Sequence, residues 1–322
     1  MKLWKEEIRH HIEEWSGQLG DRHWWPHYLY HFTDVCNAAS IIKTGYLYSR
    51  AEAQRLQLMQ VDSASPEVIS GTRAEHLEYV RLYFRPRTPT QFDNEGIRPL
   101  GKRKLGGAHC PIPIYFCFDA LTVLADDETE FSDGNMGSGR ATHSGERDFF
   151  LEIPFRLVFH HGPFGQDLRD EVVFRRHAEV LVPHSLPLNA RLRFIAARSA
   201  AERQTLLHLL PPRIRDTWAL RIRLGEQALF ERRWTYVEGV TVVDDCVVFA
   251  FNPNTTTPGP FEVSFAYAEG GTAAPREFHG VRDNLSNRLR VSVPGAAWGA
   301  AQLRLDDALA FAGTLIFEEE PF

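Results

Sequence analysis

The chain has 322 residues, 43% of them hydrophobic and 12% aromatic, with a net charge of −6. That length favours two modules over one, and the apolar content excludes disorder. No run of about 18 apolar residues is present to span a bilayer, Met1–Glu7 turns acidic where a secretion leader needs an apolar stretch, and Cys36, Cys110, Cys117 and Cys246 are too scattered for a disulfide framework. A cytoplasmic protein with no membrane partner is expected.

In chain order, Trp4, Ile8, Ile12 and Trp15 recur at helical spacing within residues 3–16. His23, His27 and His31 fall at four-residue steps, but Pro26 interrupts any helix that would align them, so no metal site is expected. Tyr28–Phe32 reads as a strand, Thr33 or Asp34 as a helix cap, and Gly45 as the stop after Lys43. A second helix is expected over Arg50–Gln60. Short strands follow at Tyr79–Phe84, Ile112–Phe118, Phe149–Ile153, Val172–Phe174, Glu179–Val182 and Leu192–Ala196. Between Arg73 and Lys104 basic side chains outnumber acidic ones, which makes a local patch suited to phosphates, although a chain with 31 Arg and 5 Lys carries that bias everywhere.

A helix over Ser199–Leu210 ends at Pro211-Pro212, and the character of the sequence then changes. The expected division is 1–212 and 213–322. The second part reads as a β-sandwich with strands at Trp218–Ile222, Ala228–Phe230, Val240–Val243, Cys246–Phe251, Phe261–Ala266, Leu289–Val293, Ala301–Leu305 and Thr314–Phe317. It is acidic, with 10 basic and 15 acidic residues in 214–322, and shows no catalytic constellation, so binding or support is expected of it.

Gly96–Arg103 imitates a phosphate loop but has Arg103 where Ser or Thr is required. Gly137-Ser138-Gly139 lacks the outer spacing of a nucleophile elbow, and no dinucleotide-binding glycine fingerprint is present. Three blocks remain. They are Tyr30-His31-Phe32-Thr33-Asp34 with Asn37, Ile41, Gly45 and Leu47; Tyr79-Val80-Arg81-Leu82-Tyr83-Phe84-Arg85-Pro86-Arg87-Thr88-Pro89; and Phe131-Ser132-Asp133-Gly134-Asn135 joined to Arg176-His177-Ala178-Glu179-Val180-Leu181-Val182.

In order and spacing these blocks resemble the DarT family over about residues 28–200. The resemblance implies an α+β fold, an ADP-ribosyltransferase-like split β-sandwich with N-terminal helices, here followed by an all-β sandwich-like domain. It implies NAD as a consumed cosubstrate, no metal, and transfer of ADP-ribose to a nucleobase of single-stranded DNA or RNA by a toxin or antiphage defence effector. Glu179 is then the catalytic carboxylate. Arg73 is the candidate for the base-activating arginine, with Arg50 and Arg55 as alternatives. His31, Thr33, Asn37, Leu47, Tyr83 and Arg87 are candidates for the cofactor, and Arg85, Asn135, His160, His161 and Arg176 for the acceptor. Tyr83 and Phe84 alternate across a strand, so one faces the site and the other the core. The loop Phe155–Arg175 resembles the family's substrate-recognition loop, and the extra domain is expected to meet an antitoxin or regulatory protein. NAD hydrolysis or protein modification on the same scaffold, and a silent nucleotide-binding module, are the competing readings.

Overall fold

The computed structural model describes residues 1–59, 74–104, 109–270 and 275–317. Arg73 lies outside the described residues. One large sheet takes β1 (Tyr28–Asp34), β3 (Tyr79–Tyr83), β4 (Pro113–Asp119), β5 (Glu130–Ser132), β6 (His143–Ser144), β7 (Glu179–Pro183), β9 (Leu192–Ala197) and β10 (Ile222–Arg223) in the order β10-β9-β4-β1-β3-β7-β5-β6. The short β2 (Tyr46–Tyr48) and β8 (Ser185–Pro187) pair with each other.

The large sheet is split. Strands β1 and β4 stay paired from Tyr28–Asp119 to Asp34–Pro113, whereas β1 meets β3 at a single pair, Tyr30–Tyr83. Beyond β3 the ladder is regular again, from Tyr79–Pro183 to Tyr83–Glu179. One face of the sheet, with Leu29, Leu82, Phe84, Phe116 and Val180, is packed with Ile8 and Ile12 of helix Lys5–Gln18 and with Val35, Ala38 and Ile42 of helix Val35–Thr44. The other carries Tyr30, Tyr115 and Phe194 beneath Leu229 and Phe230.

Local chemistry accounts for the entry to the site. Asp34 caps helix Val35–Thr44 by accepting from the Cys36 amide at 2.9 Å, and Gly45 ends it at φ 76°, a left-handed conformation that favours glycine. Two expected strands are helices: Phe149–Ile153 falls in Arg147–Glu152, and Val172–Phe174 in Arg169–Arg175. In the first, Phe150 enters an aromatic cluster with Trp4, Phe131 and Phe155, and a short apolar run does not distinguish a strand from one buried helical face. Helix Arg50–Arg55 ends before the expected Gln60.

The second sandwich faces a three-stranded sheet, β11 (Val237–Val243), β12 (Cys246–Phe251) and β15 (Arg288–Ser292), against β13 (Phe261–Glu269), β14 (Arg276–Arg282), β16 (Trp298–Leu305) and β17 (Ala308–Ile316). Phe249 joins them, its ring centre 5.7 Å from both Phe265 and Phe311. Strand β14 is absent from the expected strands because six of its seven residues are exposed, so its sequence carries no buried apolar alternation. Trp218–Ile222 and Ala228–Phe230, expected as strands here, differ as well. Trp218 ends a helix, Ile222–Arg223 joins the large sheet parallel to β9, and Gln227–Leu229 is a 3-10 turn over the aromatic face.

The two cores interlock. Ile97 and Ala201 belong to the second core, Ser199 Oγ donates to the Val237 carbonyl at 2.6 Å, and the Ala312 amide donates to Thr205 Oγ1 at 3.1 Å. Beside them Arg198, Glu95 and Glu202 are fully buried together: Arg198 reaches Glu95 at 3.1 Å, pairs with Glu202, and lies 3.9 Å from the Tyr236 ring. Glu95 also accepts the amides of Glu231 at 2.8 Å and Arg232 at 2.9 Å.

Candidate active site

Cross-strand pairing builds the centre. Tyr83 is opposite both Tyr30 and Glu179, so the three side chains leave the sheet on one side. Phe84 points the other way, into the rings of Phe155 and Phe150 at 5.1 and 6.4 Å. Glu179 is 1% exposed at the first position of β7. Its carboxylate has Arg81 Nε at 3.5 Å and a hydrogen bond from the Tyr83 hydroxyl. Burial pushes its pKa above the ordinary carboxylate value, and Arg81 and Tyr83 hold it back. Among the described residues, Glu179 Oε2 and Arg81 Nη2 have no hydrogen-bond partner although both are buried, an arrangement that suits an incoming polar ligand.

His31 and Thr33 leave β1 on the side opposite Tyr30, and therefore opposite Tyr83 and Glu179. The link between the two sets runs through the backbone of β3 beside the split. There the His31 ring sits 3.2 Å from the Arg81 carbonyl through Nδ1. A carbonyl only accepts, so Nδ1 carries the proton and Nε2 is left as an acceptor. Burial lowers the His31 pKa to about 4, which keeps the ring neutral. Thr33 is buried, with Asn37 Nδ2 at 3.5 Å from its hydroxyl. A ligand using both sets has to lie across the gap between β1 and β3.

Behind Glu179, Ser132 is the anchor. Its hydroxyl accepts the Glu179 amide at 2.8 Å and donates to the Gly134 carbonyl at 2.8 Å. Asn135 closes the following turn by accepting the Gly137 amide at 2.9 Å. Arg175 binds the Asp133 carbonyl and carboxylate, both at 2.8 Å. His177 is likewise fixed: Nδ1 donates to the Val173 carbonyl at 2.9 Å, Nε2 accepts from Thr90, and burial lowers its pKa to about 4. Ser132, Arg81 and His177 stood inside the three sequence blocks but were not singled out; their positions depend on partners from other strands, which residue type does not reveal.

The remaining candidates are placed differently. Arg85 is 2% exposed and bonded to the Val158 carbonyl at 3.2 Å and the His160 carbonyl at 2.5 Å. Arg87 reaches the Phe230 carbonyl at 2.7 Å and the Gln227 carbonyl at 3.4 Å. Leu47 is a core residue opposite Leu186. Arg176 contacts His160 Nδ1 at 2.7 Å and the Gly162 carbonyl at 3.2 Å, and His161 is exposed. Among the described residues no cluster of three or more His, Cys, Asp or Glu side chains could hold a metal, and no helix is long and apolar enough to cross a membrane.

The family described as "ssDNA thymidine ADP-ribosyltransferase, DarT" matches residues 30–223. A solved structure of DarT from Thermus sp. 2.9 in complex with ADP-ribosylated ssDNA is 18% identical, covering 64% of this chain and 96% of its own, with a TM-score of 0.48. The same protein in complex with NAD+ gives 18% identity, 64% and 98% coverage, and a TM-score of 0.47. No curated protein matches.

Proposed function

The chain belongs to the DarT family of ssDNA thymidine ADP-ribosyltransferases, and from that premise we propose that it moves ADP-ribose from NAD to a nucleobase of single-stranded DNA with Glu179 as the catalytic carboxylate. The observation that supports this assignment is the buried Glu179 carboxylate with one oxygen lacking a hydrogen bond, held by Arg81 and Tyr83 beside the split in the sheet.

The reaction breaks the bond between nicotinamide and ribose and forms one between the same ribose carbon and the acceptor base. Nicotinamide leaves with the bonding electrons, so positive charge develops on the ribose. Glu179 stabilises that charge across a desolvated site. The base sheds a proton as it attacks, and Glu179 accepts it and passes it to solvent. Neutral His31, with Nε2 free to accept, and the Thr33 hydroxyl suit ribose hydroxyls. Arg81 keeps Glu179 ionised, and Ser132 holds its backbone in register. The family description supports DNA over RNA; a toxin or antiphage setting, with an antitoxin meeting residues 213–322 in the cytoplasm, is the wider biological reading.

The test is incubation of the protein and Glu179→Gln with NAD labelled on its adenylate and separate pools of single-stranded DNA, RNA and protein. Label is expected on the DNA alone, with at least a ~10²-fold lower rate for the variant at unchanged melting temperature. Free ADP-ribose as the sole product would assign NAD hydrolysis instead, label on protein would assign protein modification, and binding without turnover would leave a nucleotide-binding module.

A further inference from the structure

The segment Gly20–His27 precedes the family-matched residues, yet it reaches the loop before β7. Arg22 Nη1 donates to the Phe159 carbonyl at 3.0 Å, and its guanidinium lies 5.2 Å from the Trp25 ring; Arg85 lies over the same ring at 4.8 Å. The Trp25 edge contacts His161, ring centres 6.0 Å apart. Across the loop, Arg176 lies 4.9 Å from the Phe164 ring. With Arg87, four guanidiniums gather here. Among the described residues each is bonded to carbonyl oxygens or an imidazole, and none forms an ion pair with a carboxylate.

Arg147, Arg175, Arg191, Arg193 and Arg198 meet carboxylates, and Arg98, Arg203 and Arg221 bond to carbonyl oxygens as this group does, but those three stand apart from one another in the sequence and are not gathered on one loop. Gathering like charges without counterions is costly unless an anion completes the cluster. The accumulated charge is felt by both imidazoles of the loop. Burial lowers His160 and His161 first, and the surrounding arginines lower them further. The carboxylate that acts on Arg85, Arg87 and Arg176 is Glu231, on the segment leading to the second sandwich.

We propose that Arg22 and Arg176, with exposed His161, form a phosphate subsite on the loop that leads into Glu179, filled by a phosphodiester of the acceptor strand or by the pyrophosphate of NAD, with Glu231 as its internal anionic competitor. The identity of the ligand rests on the transferase reading; the need for an anion does not. Two substitutions in the full chain give opposite signs. Arg22→Gln removes a cation, and Glu231→Gln removes the competitor while, among the described residues, no hydrogen bond of the Glu231 side chain is lost.

Binding of a fluorescent single-stranded thymidine oligonucleotide is followed by anisotropy across a salt series, and NAD binding by calorimetry. Arg22→Gln is expected to weaken one of these ligands about 5-fold or more, and Glu231→Gln to tighten the same one about 3-fold, a gain that a damaged fold does not produce. An effect on the oligonucleotide, with the salt slope reduced by about one, assigns the strand phosphate; an effect on NAD assigns the pyrophosphate. Both affinities within twofold of wild type in both variants would overturn the subsite, even if transfer proceeds. Variant effects on binding in a protein that transfers nothing would instead overturn the transferase reading and leave the subsite standing.

Discussion

Glu179 owes its acidity to two opposed influences, burial that raises it and the Arg81 and Tyr83 contacts that lower it. The proposed transfer needs the ionised form, so activity is expected to fall as pH drops through this raised value. Arg81→Ala removes the larger lowering influence and is expected to move the acid limb of the kcat profile to higher pH, with KM for NAD changing less than kcat; an unmoved limb would rule out Arg81 as the group that keeps Glu179 charged. His177 acts on stability instead. Its folded pKa of about 4 is below that of an unfolded histidine, about 6.5, so the unfolded chain binds more protons between those values and stability is lost as pH falls through that window. Between pH 7 and 5 this one group accounts for about 2 kcal/mol. Urea unfolding at the two pH values should show a smaller difference by that amount in His177→Gln.

The turn Ser132–Asn135 and helix Arg169–Arg175 work as one clamp on the start of β7. A Cβ added to Gly134 would sit 2.3 Å from the Phe174 ring, a contact that forces the helix or the turn to move. Gly134→Ala is expected to cost about 1–3 kcal/mol and to lower kcat. Phe174→Leu in the same chain should recover part of both, and melting and turnover of the double variant check it. The capped helix after β1 was legible in the sequence, because Asp34 and Gly45 act within their own few residues. The helices at Arg147–Glu152 and Arg169–Arg175 were not, since their apolar runs are short and their partners are remote. Glu179, His31 and Thr33 stand out as candidates through the motif blocks. What those blocks left open was where a guanidinium ends: Arg85 and Arg87 have the residue type expected of ligand-binding groups, and distant loop carbonyls take their donors.

At the scale of the molecule, the buried Arg198 between Glu95 and Glu202 sits where the large-sheet unit meets the C-terminal sandwich. Burial raises the Glu202 pKa to about 7 against the pull of Arg198. Arg198→Met leaves two carboxylates enclosed together, and the expected loss is about 3–5 kcal/mol, the range for breaking a buried pair from one side. Retained stability with a lone Arg198→Met, measured by denaturant unfolding, would show that the site relaxes into water. Because Glu95 lies in the chain between β3 and β4 of the large sheet and takes its amides from Glu231 and Arg232 on the segment leading to the C-terminal sandwich, such a loss should be felt in both parts, as a single unfolding transition.

The partners of Glu95 and the pairing of Ile97 with Thr235 also order events in time. On the ribosome, Glu179 emerges well before Ile222–Arg223 can complete the large sheet and before residues 231–235 can close over Glu95. A nascent chain released or stalled in that interval carries every candidate catalytic side chain but lacks Leu229 and Phe230 over the aromatic face of the sheet. Translation order thus makes the covering of this face of the sheet a late event in the synthesis of each molecule.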